Sequence, residues 1–207
     1  MSDANSPTSK SSANWRIYII LTLLLFVLPG LSWIYLSGGY NWRKEALSEL
    51  GVYGKIRSAP VIYPDGTRID QVAGKICVVH VFGEEPDLTP ENMRILDINE
   101  KLFEQFKESP YFRLVMITDG GTAEFVSAMQ TKNSADHACS VYTGGVKSWS
   151  TALDNGYETY IAQSGARPAK TWYALADTAG TIRRYYDAMS DEEMDRMVQQ
   201  IAILLPK

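Results

Sequence analysis

Two kinds of apolar run alternate with polar sequence along the chain. One is long and uncharged: residues 17–36 read IYIILTLLLFVLPGLSWIYL. At about 1.5 Å per residue, a helix of that length spans roughly the 30 Å of bilayer hydrocarbon. Trp15 and Tyr18 near one end, and Trp33, Tyr35, Tyr40 and Trp42 near the other, suit the two membrane interfaces. The pattern predicts a transmembrane helix over 15–37, in contact with lipid through 17–36. A cleaved signal peptide would carry a shorter apolar core, about 7 to 15 residues, and small residues at its cleavage site. The far end here is Trp33-Ile34-Tyr35-Leu36, so an uncleaved anchor is expected. Residues 1–14 are rich in Ser, Asn, Ala and Thr and read as a disordered tail. Residues 38–52 read as a juxtamembrane segment with a short helix over 42–50, ended by Gly51 and Gly54. Lys10 and Arg16 flank one side of the span and Arg43 and Lys44 the other, so basic residues alone do not orient it.

The other apolar runs are short and periodic, and they predict an α/β domain over 53–207. Pro64-Asp65-Gly66 between Val61-Ile62-Tyr63 and Thr67-Arg68-Ile69 is a hairpin signal. Cys77 to Phe82 is a strand, and Thr89-Pro90-Glu91 starts a helix: a hydroxyl to cap the first amides, a proline suited to the first helical position, and a carboxylate at the positive end of the dipole. Ile95, Ile98, Leu102, Phe103 and Phe106 form that helix's apolar stripe, and Phe112–Thr118 is a second strand. A helix between two such strands makes a right-handed βαβ unit with parallel strands. Further helices are expected over 122–129 and 146–155. A closing hairpin, 171–177 with 181–187, comes next, and a last helix opens on the capping box Ser190-Asp191-Glu192-Glu193. Its stripe is Met194, Met197, Val198, Ile201, Leu204 and Leu205.

Composition narrows the functional classes. A net charge of -4 gives no basic footprint for nucleic acid. Two cysteines, Cys77 and Cys139, are too few for a disulfide scaffold and match no zinc spacing. Cys77 lies inside an apolar strand and reads as a small buried hydrophobe, with a Cys77–Cys139 disulfide as the other reading. His80 shares a strand face with Val78 and Phe82 and reads as a hydrogen-bonded core histidine. His137, beside Asp136 in polar sequence, reads as solvated. The acidic loop Glu84, Glu85 and Asp87 is a solvated approach to the helix or a docking surface. Joined by a histidine, the same carboxylates could hold a hard or borderline divalent ion. Thr89 has a sufficient role as a cap, and no base stands beside it to make it a nucleophile.

Several motifs together carry a resemblance. They are Glu85-Pro86-Asp87-Leu88-Thr89-Pro90 with Met93 after it, then Tyr142-Thr143-Gly144, and in the closing hairpin Leu175-Ala176-Asp177, Gly180 and Arg184-Tyr185-Tyr186. Over roughly residue 53 to the C-terminus the chain resembles the Sco/SenC family, the copper chaperones of cytochrome c oxidase assembly. The resemblance implies a thioredoxin-like fold with a Sco- or peroxiredoxin-type N-terminal hairpin ahead of the central sheet. It also implies a single-pass protein of the bacterial inner membrane, with its N-terminus in the cytoplasm and its domain in the periplasm. The family holds copper with two loop cysteines and a histidine before the closing hairpin; the matching positions here are Glu85, Thr89 and Ala169. Soft thiolates hold Cu(I) and attack disulfides, and these side chains supply neither function. The resemblance therefore implies a degenerate copper site with no catalytic residue, no metal and no other cofactor. The implied role is a non-catalytic accessory factor whose partner is a respiratory oxidase subunit or another assembly factor. A metal or thiol carrier with non-standard ligands, and a structural or regulatory membrane-anchored module unrelated to oxidases, are the alternatives.

Overall fold

The computed structural model describes residues 12–56, 61–62, 68–69, 74–83, 85–132, 139–143 and 146–206. The chain divides into two units by contact, one up to Glu45 and one from Ala46 to Lys207. Helix α1, Ser12–Ser48, is continuous over 37 residues and includes Pro29. Its stretch Trp15–Tyr35, of mean hydropathy 2.3, makes it long and apolar enough to cross a membrane. Two expectations change here. The helix already includes residues 12–14 of the expected tail, the rest of which lies outside the described residues; and the helix expected over 42–50 is the end of α1 rather than a separate element. Gly38-Gly39 costs about 1 kcal/mol per glycine relative to alanine, but glycine keeps its N–H, so the hydrogen-bond ladder runs through.

In the second unit, β1 (Val61–Ile62) and β2 (Arg68–Ile69) pair antiparallel as the expected hairpin, whose turn is not among the described residues. The central elements are β3 (Ile76–Gly83), α2 (Pro90–Phe106), β4 (Phe112–Thr118), α3 (Ala123–Lys132), β5 (Cys139–Thr143), α4 (Val146–Ser164), β6 (Trp172–Ala176), β7 (Ile182–Asp187) and α5 (Asp191–Leu204). The sheet order is β5-β4-β3-β6-β7. Strand β4 lies parallel to both β3 and β5, while β6 runs antiparallel to β3 and β7 antiparallel to β6.

Alternation along β3 feeds two cores. Ile76 and Val78 join Ile95, Leu102, Met197 and Ile201 of α2 and α5 on one face. Cys77 and Val79 join Trp149, Leu153 and Tyr160 of α4 on the other. Strand β4 is buried along its whole length, as a parallel strand covered on both faces must be.

Helix α4 runs past the expected end at Asn155 to Ser164. Gly156 is buried, and a Cβ there would overlap Tyr185 Oη and come within 2.7 Å of the Tyr53 carbonyl oxygen. The glycine therefore serves a close approach inside a helix, not a helix end.

The compact unit also starts ahead of residue 53. Ala46 is fully buried, and its carbonyl accepts a bond from Gln200 Nε2 at 2.9 Å. Glu49 pairs with Arg184 and, at 2.7 Å, with Arg196. Gly51 N–H donates to Arg183 O at 2.9 Å, Tyr53 N–H to Ile182 O at 3.0 Å, and Ile182 N–H to Gly54 O at 2.9 Å. This stretch covers the outer edge of β7, which would otherwise offer unpaired backbone groups.

Candidate functional site

Strand β3 ends at Gly83, whose φ of +95° favours glycine, with an irregular register against β4 between Val81 and Gly83. Glu84 lies outside the described residues; Glu85 and Asp87 are exposed and Pro86 is buried. The loop is pinned to the start of α3. Thr122 N–H donates to Pro86 O at 3.1 Å, and a Cβ on Gly121 would come 3.0 Å from that oxygen.

Thr89 caps α2 as its sequence context indicated: its Oγ1 accepts from Asn92 N–H at 3.1 Å. Asn92 Nδ2 donates in turn to Asp87 O at 2.8 Å.

The loop before β6 meets the first turn of α2 through an ion pair, Lys170 Nζ to Glu91 Oε2 at 3.0 Å. Thr89 and Ala169 thus sit close in sequence to the two partners of one contact. Tyr157 holds Ala169 at both backbone groups: its Oη accepts from Ala169 N–H and donates to Ala169 O at 3.2 Å.

Two clefts flank this meeting point. The larger, about 480 Å³, is lined by His80 and Phe82 of β3, Glu91 of α2, Asp154 of α4, and Lys170 and Trp172. The smaller, about 190 Å³, is lined by Ala169 with Tyr157, Tyr160 and Tyr185. Ala169 and its neighbour Lys170 therefore face different clefts, and Glu85, Asp87 and Thr89 line neither.

His80 is 4% exposed. Its Nδ1 stands 2.9 Å from Trp172 O. A carbonyl only accepts, so Nδ1 carries the proton and Nε2 the lone pair. Phe82 meets the imidazole edge-on at 4.7 Å and Tyr173 lies at 5.0 Å. Burial pushes its pKa down to about 4, against the opposing bond to Trp172, so the ring is neutral near pH 7. This is the core histidine that the strand pattern indicated.

Cys77 is fully buried mid-strand. Burial drives its thiol up to about 12 although Arg113 and Lys75 pull it the other way. The thiolate is the nucleophile and the metal ligand, so Cys77 is held in the unreactive form. The side chain of Cys139, and with it the alternative disulfide, and the whole of His137 lie outside the described residues. Among the described residues, no group of three His, Cys, Asp or Glu draws close enough to hold a metal ion. The exposed Glu85 and Asp87 acquire no histidine partner there.

The cleft residues Glu91, Asp154, Lys170 and Trp172 were not singled out as site candidates from sequence. Their convergence depends on long-range contacts among three elements, and only the adjacency of Lys170 to position 169 could have pointed to them.

Neither a family model nor a curated protein matches the sequence. Among solved structures, a SCO1/SenC family lipoprotein from Bacillus anthracis is similar with a TM-score of 0.52 at 12% identity, over 73% of this chain and 95% of that one. BsSco, described as a member of the Sco family of cytochrome c oxidase assembly proteins, is similar with a TM-score of 0.50 at 9% identity, over 72% of this chain and 92% of that one. Likeness at such identities speaks to architecture: the domain has the thioredoxin-like fold of the Sco proteins.

Proposed function

We propose that this chain is a membrane-anchored, Sco-like binding protein that assists cytochrome c oxidase or respiratory-complex assembly without copper or thiol chemistry. The observation that carries this reading is the chemistry at the three matched positions. Glu85 is an exposed carboxylate, Thr89 spends its hydroxyl on the α2 cap, and Ala169 has no donor atom. The one cysteine whose side chain is described is buried with its pKa raised to about 12, far from thiolate character. Helix α1 supplies the anchor in this reading, with the chain in the bacterial inner membrane and the domain on the periplasmic side. The exposed Glu85 and Asp87 beside α2 are the proposed docking loop for an oxidase subunit or another assembly factor.

The test is genetic and spectroscopic. Deleting the gene is expected to lower the haem absorbance of assembled oxidase in membranes. Expression of the parent chain, and equally of Cys77→Ser, is expected to restore it. Unchanged oxidase in the deletion strain would sink the assembly role, and failure of Cys77→Ser alone would restore a thiol role.

A further inference from the structure

We propose that the cleft beside His80 binds an alkylguanidinium group, the cationic end of an arginine side chain or of an arginine-like small molecule. The site goes beyond the assembly role and does not depend on it.

The first support is an unmade hydrogen bond. His80 is 4% exposed and lines the cleft. Its one polar contact among the described residues is Nδ1 to Trp172 O. Nε2 is thus left as an acceptor without a partner. Nε2 is not among the fully buried unpartnered atoms, so water reaches it, and a ligand N–H would take that water's place.

The second is charge. Lys170 is paired with Glu91 at 3.0 Å, whereas Asp154 of the same cleft has no ion-pair partner among the described residues. Its exposed carboxyl is raised first by partial desolvation and then by the nearby Glu158, and a cation beside it would pull it back down. The imidazole, held neutral, does not oppose a cation.

The third is shape. A planar guanidinium offers several N–H donors and stacks on aromatic faces, and Phe82 and Trp172 supply aromatic surface in the same cleft. At about 480 Å³ the cleft lies within the range of roughly 300–1,000 Å³ typical of small-ligand sites.

Other ligands fit less well. An anion at the α2 N-terminus would meet Glu91 in the first turn and find the Asn92 amide already capped by Thr89. A metal ion would lack a third ligand among the described residues.

The experiment titrates the full chain in detergent with N-acetyl-arginine N-methylamide, its neutral isostere N-acetyl-citrulline N-methylamide, and free arginine, monitored by calorimetry and by the ring ¹⁵N resonances of His80. Saturable binding of the capped arginine is expected, with a shift of the His80 Nε2 resonance and at least about tenfold weaker binding of the citrulline isostere. Asp154→Asn should weaken the capped arginine by about tenfold, and Glu124→Gln, exposed on α3 and outside the cleft, should leave it unchanged. Tighter binding of the capped form points to a peptide side chain and tighter binding of free arginine to a small molecule. No saturable binding by either arginine form, equal affinity for citrulline, or an unaltered Asp154→Asn would overturn the proposal.

Discussion

Gly156→Ala sets helix propensity against packing, and magnitudes decide the sign. In an unobstructed helix the change would stabilise by about 1 kcal/mol. At residue 156 the new methyl would overlap Tyr185 Oη, lie 2.7 Å from Tyr53 O and press on Ile182 Cδ1 at 3.4 Å. Tyr185 is fully buried, and its hydroxyl donates to Leu153 O at 2.7 Å, so the ring has no free direction in which to retreat. Overpacking of this kind costs about 1–3 kcal/mol, and displacing the hydroxyl adds roughly 1 kcal/mol. The net expectation is a loss of about 1–3 kcal/mol, which for a unit of this size lowers Tm by about 4–8 °C at the middle of that range. Thermal unfolding of the full chain, read by near-ultraviolet circular dichroism, measures it. Asn155→Ala, exposed on the same helix, is the control and should change little. A Gly156→Ala chain as stable as the parent, or more stable, would refute the close approach and with it the packing of α4 on β7.

Two further outcomes rest on named contacts. Glu49 accepts from Arg196 at 2.7 Å, from Gln200 at 3.0 Å and from Arg184, which would keep only Glu193. Glu49→Ala should therefore lower the urea midpoint by an amount worth about 1–3 kcal/mol at unchanged m, and a loss below about 0.5 kcal/mol would contradict the docking of residues 46–52 on the domain. His80 has a folded-state pKa depressed to about 4 from 6.5, so the neutral form belongs to the folded chain. Its contribution is fully present above about pH 6.5 and is lost as pH falls toward 4, because the unfolded chain takes up the proton first, by a total on the order of 3 kcal/mol. His80→Phe should flatten that part of the stability profile, and an imidazole seen by NMR to titrate near 6.5 would contradict its burial.

Local chemistry made much of this fold legible. Thr89 and Pro90 announced the start of α2, the mainly apolar run, broken by Arg113, announced β4 at Phe112–Thr118, and Ser190 announced α5, accepting from Glu193 N–H at 3.3 Å. Only that half of the capping box forms, because the Glu193 carboxylate pairs with Arg184. What stayed hidden depends on distant partners. Asn99 looks like a polar interruption of the α2 stripe, yet it is fully buried and accepts from Tyr173 Oη at 2.8 Å. Leu96, off the stripe, packs on Phe125 and Met129 of α3. The helix expected over 146–155 runs on to Ser164 through Gly156, because a glycine required by a neighbouring tyrosine carries the same letter as one required by a turn. At the site, the acidic loop drew attention by composition, whereas the clefts lie beside it, assembled from β3, α2, α4 and the approach to β6.

The central claim is that the Sco-like fold here works without the family's copper chemistry, and copper binding by the purified chain tests it most directly. The full-length protein in detergent is loaded with Cu(I) under reducing conditions and dialysed against a chelating competitor. The account predicts copper far below one per chain, and no sulfur-to-copper charge-transfer absorption after oxidation, since Glu85, Thr89 and Ala169 offer no soft ligand. A stoichiometric complex that survives the competitor would contradict it.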